Sequence, residues 1–83
     1  MPAYNFIHEQ LNDTGNKTFV LGASRHGVYC FNWGTSDLTF TTNNEGSDVH
    51  TIPAKCGIPL IFARPFTQIE VTSSGAYTIY TYN

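Results

Sequence analysis

With 83 residues, the chain has room for a single domain. Its formal net charge of −2 and its four scattered Lys and Arg residues exclude the basic stripe of a nucleic-acid-binding protein. Charged residues make up 12% of the chain, against roughly 25% in typical globular domains, while 41% of the residues are hydrophobic and 14% are aromatic. Because the cores of protein–protein interfaces are depleted in charge and enriched in aromatic residues, we expect another chain to cover much of the outer surface. No apolar run approaches the roughly 18 residues of a membrane-spanning helix, so we expect no membrane partner.

The N-terminal residues 1–16 are open to two interpretations within a single β domain, 1–83. Residues 4–11 fit either a short helix, in which Phe6, Ile7, Gln10 and Leu11 share one face, or an arm packed on a neighbour. Residues 12–16 have the composition of a turn. The segment lacks the basic start and apolar run of a signal peptide, so we expect synthesis in a reducing cytoplasm and no secretion by that route.

Short runs of β-branched and aromatic residues follow, separated by turn residues roughly every 8–12 positions. They occupy residues 18–21, 28–33, 37–42, 48–52, 58–65, 66–72 and 76–82. This spacing predicts an all-β fold: a small antiparallel β-sandwich or barrel of about six to seven short strands. Residues 43–47 are predicted to form a polar loop, which we expect to be the most exposed stretch of the chain.

The run 28–33 alternates sharply, with Tyr29, Phe31 and Trp33 on one face and Val28, Cys30 and Asn32 on the other. Such an aromatic ridge is most often the centre of a sandwich core, and we assign it to the core here. The alternative is an exposed stacking platform for a sugar or a base, which a ligand or partner would have to cover.

The last two runs predict a C-terminal hairpin across residues 73–75. A three-residue loop with Gly75 in the left-handed conformation would set Val71 opposite Tyr77 and Ile69 opposite Ile79. The opposite face of this hairpin would carry Tyr80 and Tyr82. The preceding run, 58–65, is apolar but bracketed by prolines, which predicts an edge strand that a partner covers.

These patterns identify two sets of residues. The residues expected in the core are Val20, Tyr29, Phe31, Trp33, Leu38, Phe40, Ile69, Val71 and Ile79. The residues expected at an interface with another chain are Leu60, Ile61, Phe62, Tyr80 and Tyr82.

No catalytic or cofactor-binding signature is present, and we expect no enzyme activity, no cofactor and no metal. The histidines His8, His26 and His50 do not share a ligand spacing with each other or with the cysteines. Cys30 and Cys56 are interpreted as small buried hydrophobes, with a disulfide between them left open.

Two stretches of the C-terminal half carry a family resemblance. Residues 51–60, with Ile52-Pro53-Ala54 before a Pro-containing apolar strand, and residues 66–75, with Phe66-Thr67-Gln68-Ile69 before the final strand, resemble small β-rich virion proteins of tailed bacteriophages. The resemblance covers about residues 48–83. It implies a non-enzymatic structural role in the virion, as a capsid decoration (cement) protein or a spike or tail accessory subunit. The implied partners are further copies of the chain, as a homo-oligomer, and a larger virion lattice protein.

A small carbohydrate-binding β module is the alternative function. It rests on Tyr29, Trp33 and the Asn- and Thr-rich loops, because sugars are held by aromatic stacking and amide hydrogen bonds. The exposure of Trp33 separates the two interpretations, since a platform tryptophan is solvent-accessible and a core tryptophan is not.

Overall fold

The computed structural model describes residues 7–43 and 49–82. These residues form one six-stranded, fully antiparallel sheet and no helix, which confirms the all-β fold class. The strands are β1 (Ile7–Thr14), β2 (Lys17–Asn32), β3 (Leu38–Thr42), β4 (His50–Ile52), β5 (Gly57–Thr72) and β6 (Ala76–Tyr82), in the sheet order β1-β6-β2-β5-β3-β4.

Two strands are long: β2 and β5 each run for 16 residues. The sequence pattern predicted two short strands in place of each long one, at residues 18–21 and 28–33 and at residues 58–65 and 66–72. In the structure each pair is one continuous strand that is irregular near its midpoint. The register of β2 against β5 shifts between Val20 and Arg25 and again between Arg25 and Gly27. Such irregularities bend a strand and increase its twist. The bends allow one sheet to fold back on itself as a two-layer sandwich.

We call the half of the sheet formed by β1, β6, residues 27–32 of β2 and residues 57–61 of β5 the first layer. The second layer contains residues 17–20 of β2, residues 66–72 of β5, β3 and β4. Among the described residues, 57–61 pair with β2 alone, so this proline-containing segment does lie at an edge of the first layer.

The core lies between the layers, where each strand directs alternate side chains inward. Phe19 of the second layer meets Tyr77 of the first edge-to-face, with ring centroids 6.3 Å apart. The buried hydrophobic residues are Leu21, Val28, Cys30, Leu38, Phe40, Ile52, Phe62, Phe66, Ile69, Val71, Tyr77 and Ile79. Leu38, Phe40, Ile69, Val71 and Ile79 are therefore core residues, as predicted.

Val20 is not a core residue, because its side chain is 77% exposed. The strand alternation instead turns its neighbours Phe19 and Leu21 toward the core. A run of three apolar residues does not show which of its two faces is inward, and the assignment of Val20 to the core was wrong.

The predicted C-terminal hairpin is also wrong. β5 and β6 are not neighbours in the sheet: β6 lies between β1 and β2, and β5 lies between β2 and β3. Residues 73–75 instead carry the chain from the second layer to the first, beside the β1–β2 turn, where the Gly15 amide donates to the Gly75 carbonyl at 3.2 Å. Gly75 does not have a positive φ, whereas Gly15 does, at 83°. Ile69, Val71, Tyr77 and Ile79 all point inward as expected, but from opposing layers instead of adjacent strands.

The N-terminal segment is neither a helix nor a free arm over its described part. Residues 7–14 pair along β6 as an edge strand, and the turn is confined to Gly15 and Asn16 between β1 and β2. Residues 4–6 of the predicted arm and residues 44–47 of the predicted polar loop lie outside the described residues.

Asn32 is a buried polar residue that joins the two layers at one end of the sandwich. Its amide nitrogen donates to the Ser36 carbonyl at 2.8 Å and to the Ile52 carbonyl on β4 at 3.0 Å. Its amide oxygen accepts from the Gly34 amide at 2.9 Å. Because both amide groups are hydrogen-bonded, the side chain can be fully buried without the penalty of an unpaired polar group.

Candidate functional site: an aromatic face on the first layer

The aromatic ridge of β2 lies outside the core, so the core assignment of Tyr29, Phe31 and Trp33 is wrong. Val28, Cys30 and Asn32 point inward and are fully buried, whereas Trp33 is 51% exposed. Alternation identifies the residues that share a face, but it does not show which face is buried. The inward set is the smaller and contains no aromatic residue, and its one polar member, Asn32, has hydrogen-bond partners for its side chain in the interior.

Neighbouring strands extend the ridge sideways into a surface. Tyr29 lies opposite Tyr80 on one side and Pro59 on the other. Gly27 lies between Tyr82 and Ile61 in the same way. We call the outer surface formed by Tyr29, Phe31, Trp33, Tyr80 and Tyr82 the aromatic face.

Two glycines allow rings of this face to lie flat on the sheet. A Cβ atom at Gly27 would lie 2.5 Å from the Tyr82 ring, and a Cβ at Gly57 would lie 2.8 Å from Phe31 and would also collide with the Tyr29 ring. The rings therefore occupy the space above the backbone that any side chain at these positions would fill.

Trp33 is held in a fixed orientation at one end of the face. Its indole Nε1–H donates to Thr78 Oγ1 at 3.0 Å, and that hydroxyl donates to Asn12 Oδ1 at 2.6 Å. Its ring contacts Phe31 with centroids 4.1 Å apart and an interplanar angle of 37°. Half of this tryptophan is exposed to solvent. Its orientation is fixed by hydrogen bonds that run from Trp33, directly after β2, through Thr78 of β6 to Asn12 of β1.

Lys55 lies near the same end of the aromatic face, beside the β5 edge of the first layer, whereas Asn12 lies at the β1 edge. Lys55 is in the β4–β5 turn, and its Nζ donates to the Trp33 carbonyl at 2.7 Å. Lys55 has a φ of 62°, which is uncommon for a residue with a side chain. The turn is closed by a hydrogen bond from the Cys56 amide to the Pro53 carbonyl at 3.2 Å.

The residues predicted to form an interface separate into three groups. Tyr80 and Tyr82 are half-buried members of the aromatic face, and Ile61 is 81% exposed beside them. Leu60 lies opposite Val28 and packs against the core from a partly buried position.

The interface assignment of Phe62 is wrong, because this residue is buried in the core. Its ring contacts Phe66 with centroids 5.4 Å apart and His50 with centroids 5.3 Å apart. Phe62 follows the last residue of β5 that pairs with the second half of β2, where the strand bends between the layers. The simple alternation of a straight strand fails at such a bend.

The two cysteines are both free, so the described structure contains no disulfide between them. Cys30 is buried, and burial raises the pKa of its thiol from 9.0 to about 12. Cys56 is exposed, which contradicts its assignment as a buried hydrophobe. It lies in a tight turn, and its carbonyl accepts a hydrogen bond from the backbone N–H of Asn32 at 2.9 Å.

Within residues 7–43 and 49–82, no group of His, Cys, Asp or Glu side chains is arranged to hold a metal ion. No helix in this part of the chain is long and apolar enough to cross a membrane. A shallow polar groove lies on the second layer, lined by Asn16, Lys17, Thr18, Glu70, Val71 and Thr72.

Comparisons with protein-family models, curated proteins and solved structures found no match for this chain. The interpretation of the aromatic face therefore rests on its own geometry. Sequence reasoning missed Asn12, Thr78, Lys55, Gly27 and Gly57 as parts of this surface. Their roles depend on the pairing of β2 with β6 and β5 and of β6 with β1, for which the sequence carries no local signal.

Proposed function

We propose that this protein is a non-enzymatic structural subunit that acts through protein–protein contacts made by the aromatic face. In its finer form, the proposal is a virion protein of a tailed bacteriophage, either a capsid decoration (cement) protein or a spike or tail accessory subunit. Its partners are then further copies of itself and a larger lattice protein.

The observation that carries this proposal is the composition of the outer surface of the first layer. Its described residues include five aromatic rings together with Ile61 and Pro59, beside the polar Asn12 and Thr78, whereas monomeric soluble proteins rarely expose a large contiguous apolar patch. Tyr and Trp suit such a surface because they combine a large apolar area with a polar group that tolerates water at the rim of an interface.

The strand edge beside the face supports the same proposal. Residues 57–61 form an apolar edge that has no second strand partner among the described residues, and proteins usually cover such edges. A specific interface buries about 800 Å² on each partner, and repeated contacts across a lattice turn modest affinities into stable attachment.

The test is the absolute mass of the protein in solution, measured by light scattering over a concentration series. Ile61→Asp is compared with Val20→Asp, because the two side chains are almost equally exposed, at 81% and 77%, but lie on opposite layers. We expect a closed oligomer that Ile61→Asp or Tyr80→Ala dissociates and Val20→Asp leaves intact. A wild-type monomer at high concentration would contradict self-association.

Carbohydrate binding is a second candidate function, and the exposure of Trp33 favours it. An aromatic ring that is half exposed and also fixed by a hydrogen bond is a stacking platform prepared in advance of its ligand. The same ring in a core would be closed to any ligand.

A further inference from the structure

We propose that the Trp33 end of the aromatic face binds an acidic saccharide, with the sugar ring stacked on the exposed part of Trp33, whose ring rests on Phe31, and with its carboxylate bound by Lys55. This inference rests on carbohydrate binding, the second candidate function, and adds the class of sugar and the residue that selects it. It does not depend on self-association.

The stacking surface is rigid before the ligand arrives. Trp33 is tied through Thr78 to Asn12, and Phe31 lies against both Trp33 and the backbone of Gly57. A fixed platform loses little conformational entropy on binding, so that a shallow site can still hold a ligand. A pyranose presents a face of C–H groups that matches the flat, electron-rich face of an aromatic ring.

The polar groups beside this platform are hydrogen-bond donors. Lys55 Nζ has three N–H groups and gives one of them to the Trp33 carbonyl. Asn12 uses its amide oxygen to accept from Thr78, which directs its amide N–H groups away from that bond. Donors on two sides of a stacking surface fit a ligand that is rich in acceptors, and a carboxylate is the acceptor that an ammonium group binds most strongly.

The conformation of Lys55 is a second reason to assign it this role. A lysine with φ of 62° is held in a strained conformation that glycine would adopt without cost. The side chain at this position delivers a positive charge to the end of the platform. A single ammonium suits one carboxylate, whereas a nucleic acid would require a row of cations that this chain lacks.

The matched probes are methyl glucuronide and methyl glucoside, which differ only in the carboxylate at C6. Trp33 is the single tryptophan of the chain, so its indole N–H resonance reports binding without ambiguity in an NMR titration. Because Lys55 is exposed, we expect a modest preference, about three- to tenfold tighter binding of the glucuronide, which salt weakens.

Three variants assign the preference to Lys55. Lys55→Gln should weaken binding of the glucuronide until its affinity equals that of the glucoside. Lys55→Arg should keep the preference for the glucuronide. Lys17→Gln, on the second layer, should bind both probes as the wild type does. Equal affinities of the wild type for both probes would overturn the acidic-sugar inference and leave carbohydrate binding standing. No shift of the Trp33 resonance with either probe would overturn both.

Discussion

The outer surfaces of the two layers differ in chemistry although both arise from the same alternation of side chains. The first layer carries aromatic rings, whereas the second is dominated by threonine. The outward residues of the second layer are Thr18, Val20, Thr39, Thr41, Thr51, Gln68, Glu70 and Thr72. We call this surface the threonine face. Both layers have apolar inward residues, so the core alone does not distinguish them. The difference lies in the outward positions, and the proposed function follows from it.

Backbone composition differs in the same way. The first layer includes Gly27 and Gly57 within its paired strands, each beneath an aromatic ring. The paired segments of the second layer contain no glycine. Glycine within a strand lowers the stability of that strand. We infer that the packing of the rings over Gly27 and Gly57 offsets this loss.

The largest expected effect comes from breaking the joint between the layers. Asn32→Asp would place a buried carboxylate against the carbonyls of Ser36 and Ile52 and would remove both hydrogen bonds that the amide donates to them. We expect a loss of about 3–5 kcal/mol in the free energy of unfolding, measured with urea. The exposed Asn12→Asp is the control, because Asn12 uses only its oxygen toward Thr78. A loss below 1 kcal/mol would show that the joint does not hold the layers together.

Alkaline pH should lower the free energy of unfolding through two groups with raised pKa values, Cys30 and Tyr77, which lie on strands of the first layer. Burial raises the pKa of Cys30 to about 12, and burial together with the charges of Asp13 and Cys30 raises that of Tyr77 to about 12. The unfolded chain loses these protons first, from about pH 9 to 10, and the folded chain keeps them until about pH 12. The contribution of these two groups to the free energy of unfolding should therefore be fully present below about pH 9 and should fall steadily up to about pH 12.

Cys30 alone accounts for at most about 4 kcal/mol of this loss, because its shift is about three pH units. Unfolding in urea at a series of pH values measures the slope. Cys30→Ala should flatten it, and Cys56→Ala, which changes an exposed thiol, should not. An identical slope in wild type and Cys30→Ala would contradict the assignment.

Much of the fold follows from local patterns in the sequence. Leu38 and Phe40 point inward with Thr39 and Thr41 between them, as strict alternation predicts. Ile69, Val71 and Ile79 are also inward, although the hairpin expected to hold them does not form. Alternation depends only on the geometry of a single strand, so it survives an error in strand order.

The aromatic face was harder to predict because it depends on contacts between strands, which the sequence of a single strand does not determine. Tyr29, Phe31 and Trp33 were correctly placed together, but whether they face the core depends on the partners available to Asn32 across the sandwich. Phe62 fails for a related reason, because it lies at the bend of a long strand, where simple alternation no longer holds. The positions of Lys55 and Asn12 beside Trp33 are long-range contacts, since 22 residues separate Lys55 from Trp33.

The glycine beneath the rings can be tested directly. Gly57→Ala would force the Tyr29 and Phe31 rings to move, because the added Cβ lies 2.8 Å from Phe31. We expect a loss of about 1–3 kcal/mol in stability and a shift of the Trp33 indole resonance, since Phe31 packs on that ring. Gly22→Ala is the matched control, because a Cβ there meets nothing within 4 Å. Similar results for the two variants would show that the rings do not depend on the glycine.

The smallest expected effect separates two threonines of β6. The Thr81 hydroxyl is fully buried and has no hydrogen-bond partner within the described residues, whereas that of Thr78 joins Trp33 to Asn12. Thr81→Val should therefore leave stability unchanged or raise it by up to about 1 kcal/mol, while Thr78→Val should cost about 1–2 kcal/mol and release the Trp33 indole. Urea unfolding and the indole resonance measure the two effects. Equal losses in both variants would mean that the Thr81 hydroxyl has a partner. An unchanged indole in Thr78→Val would mean that Trp33 is not held from β6, and the aromatic face would then lack the rigidity on which its stacking role depends.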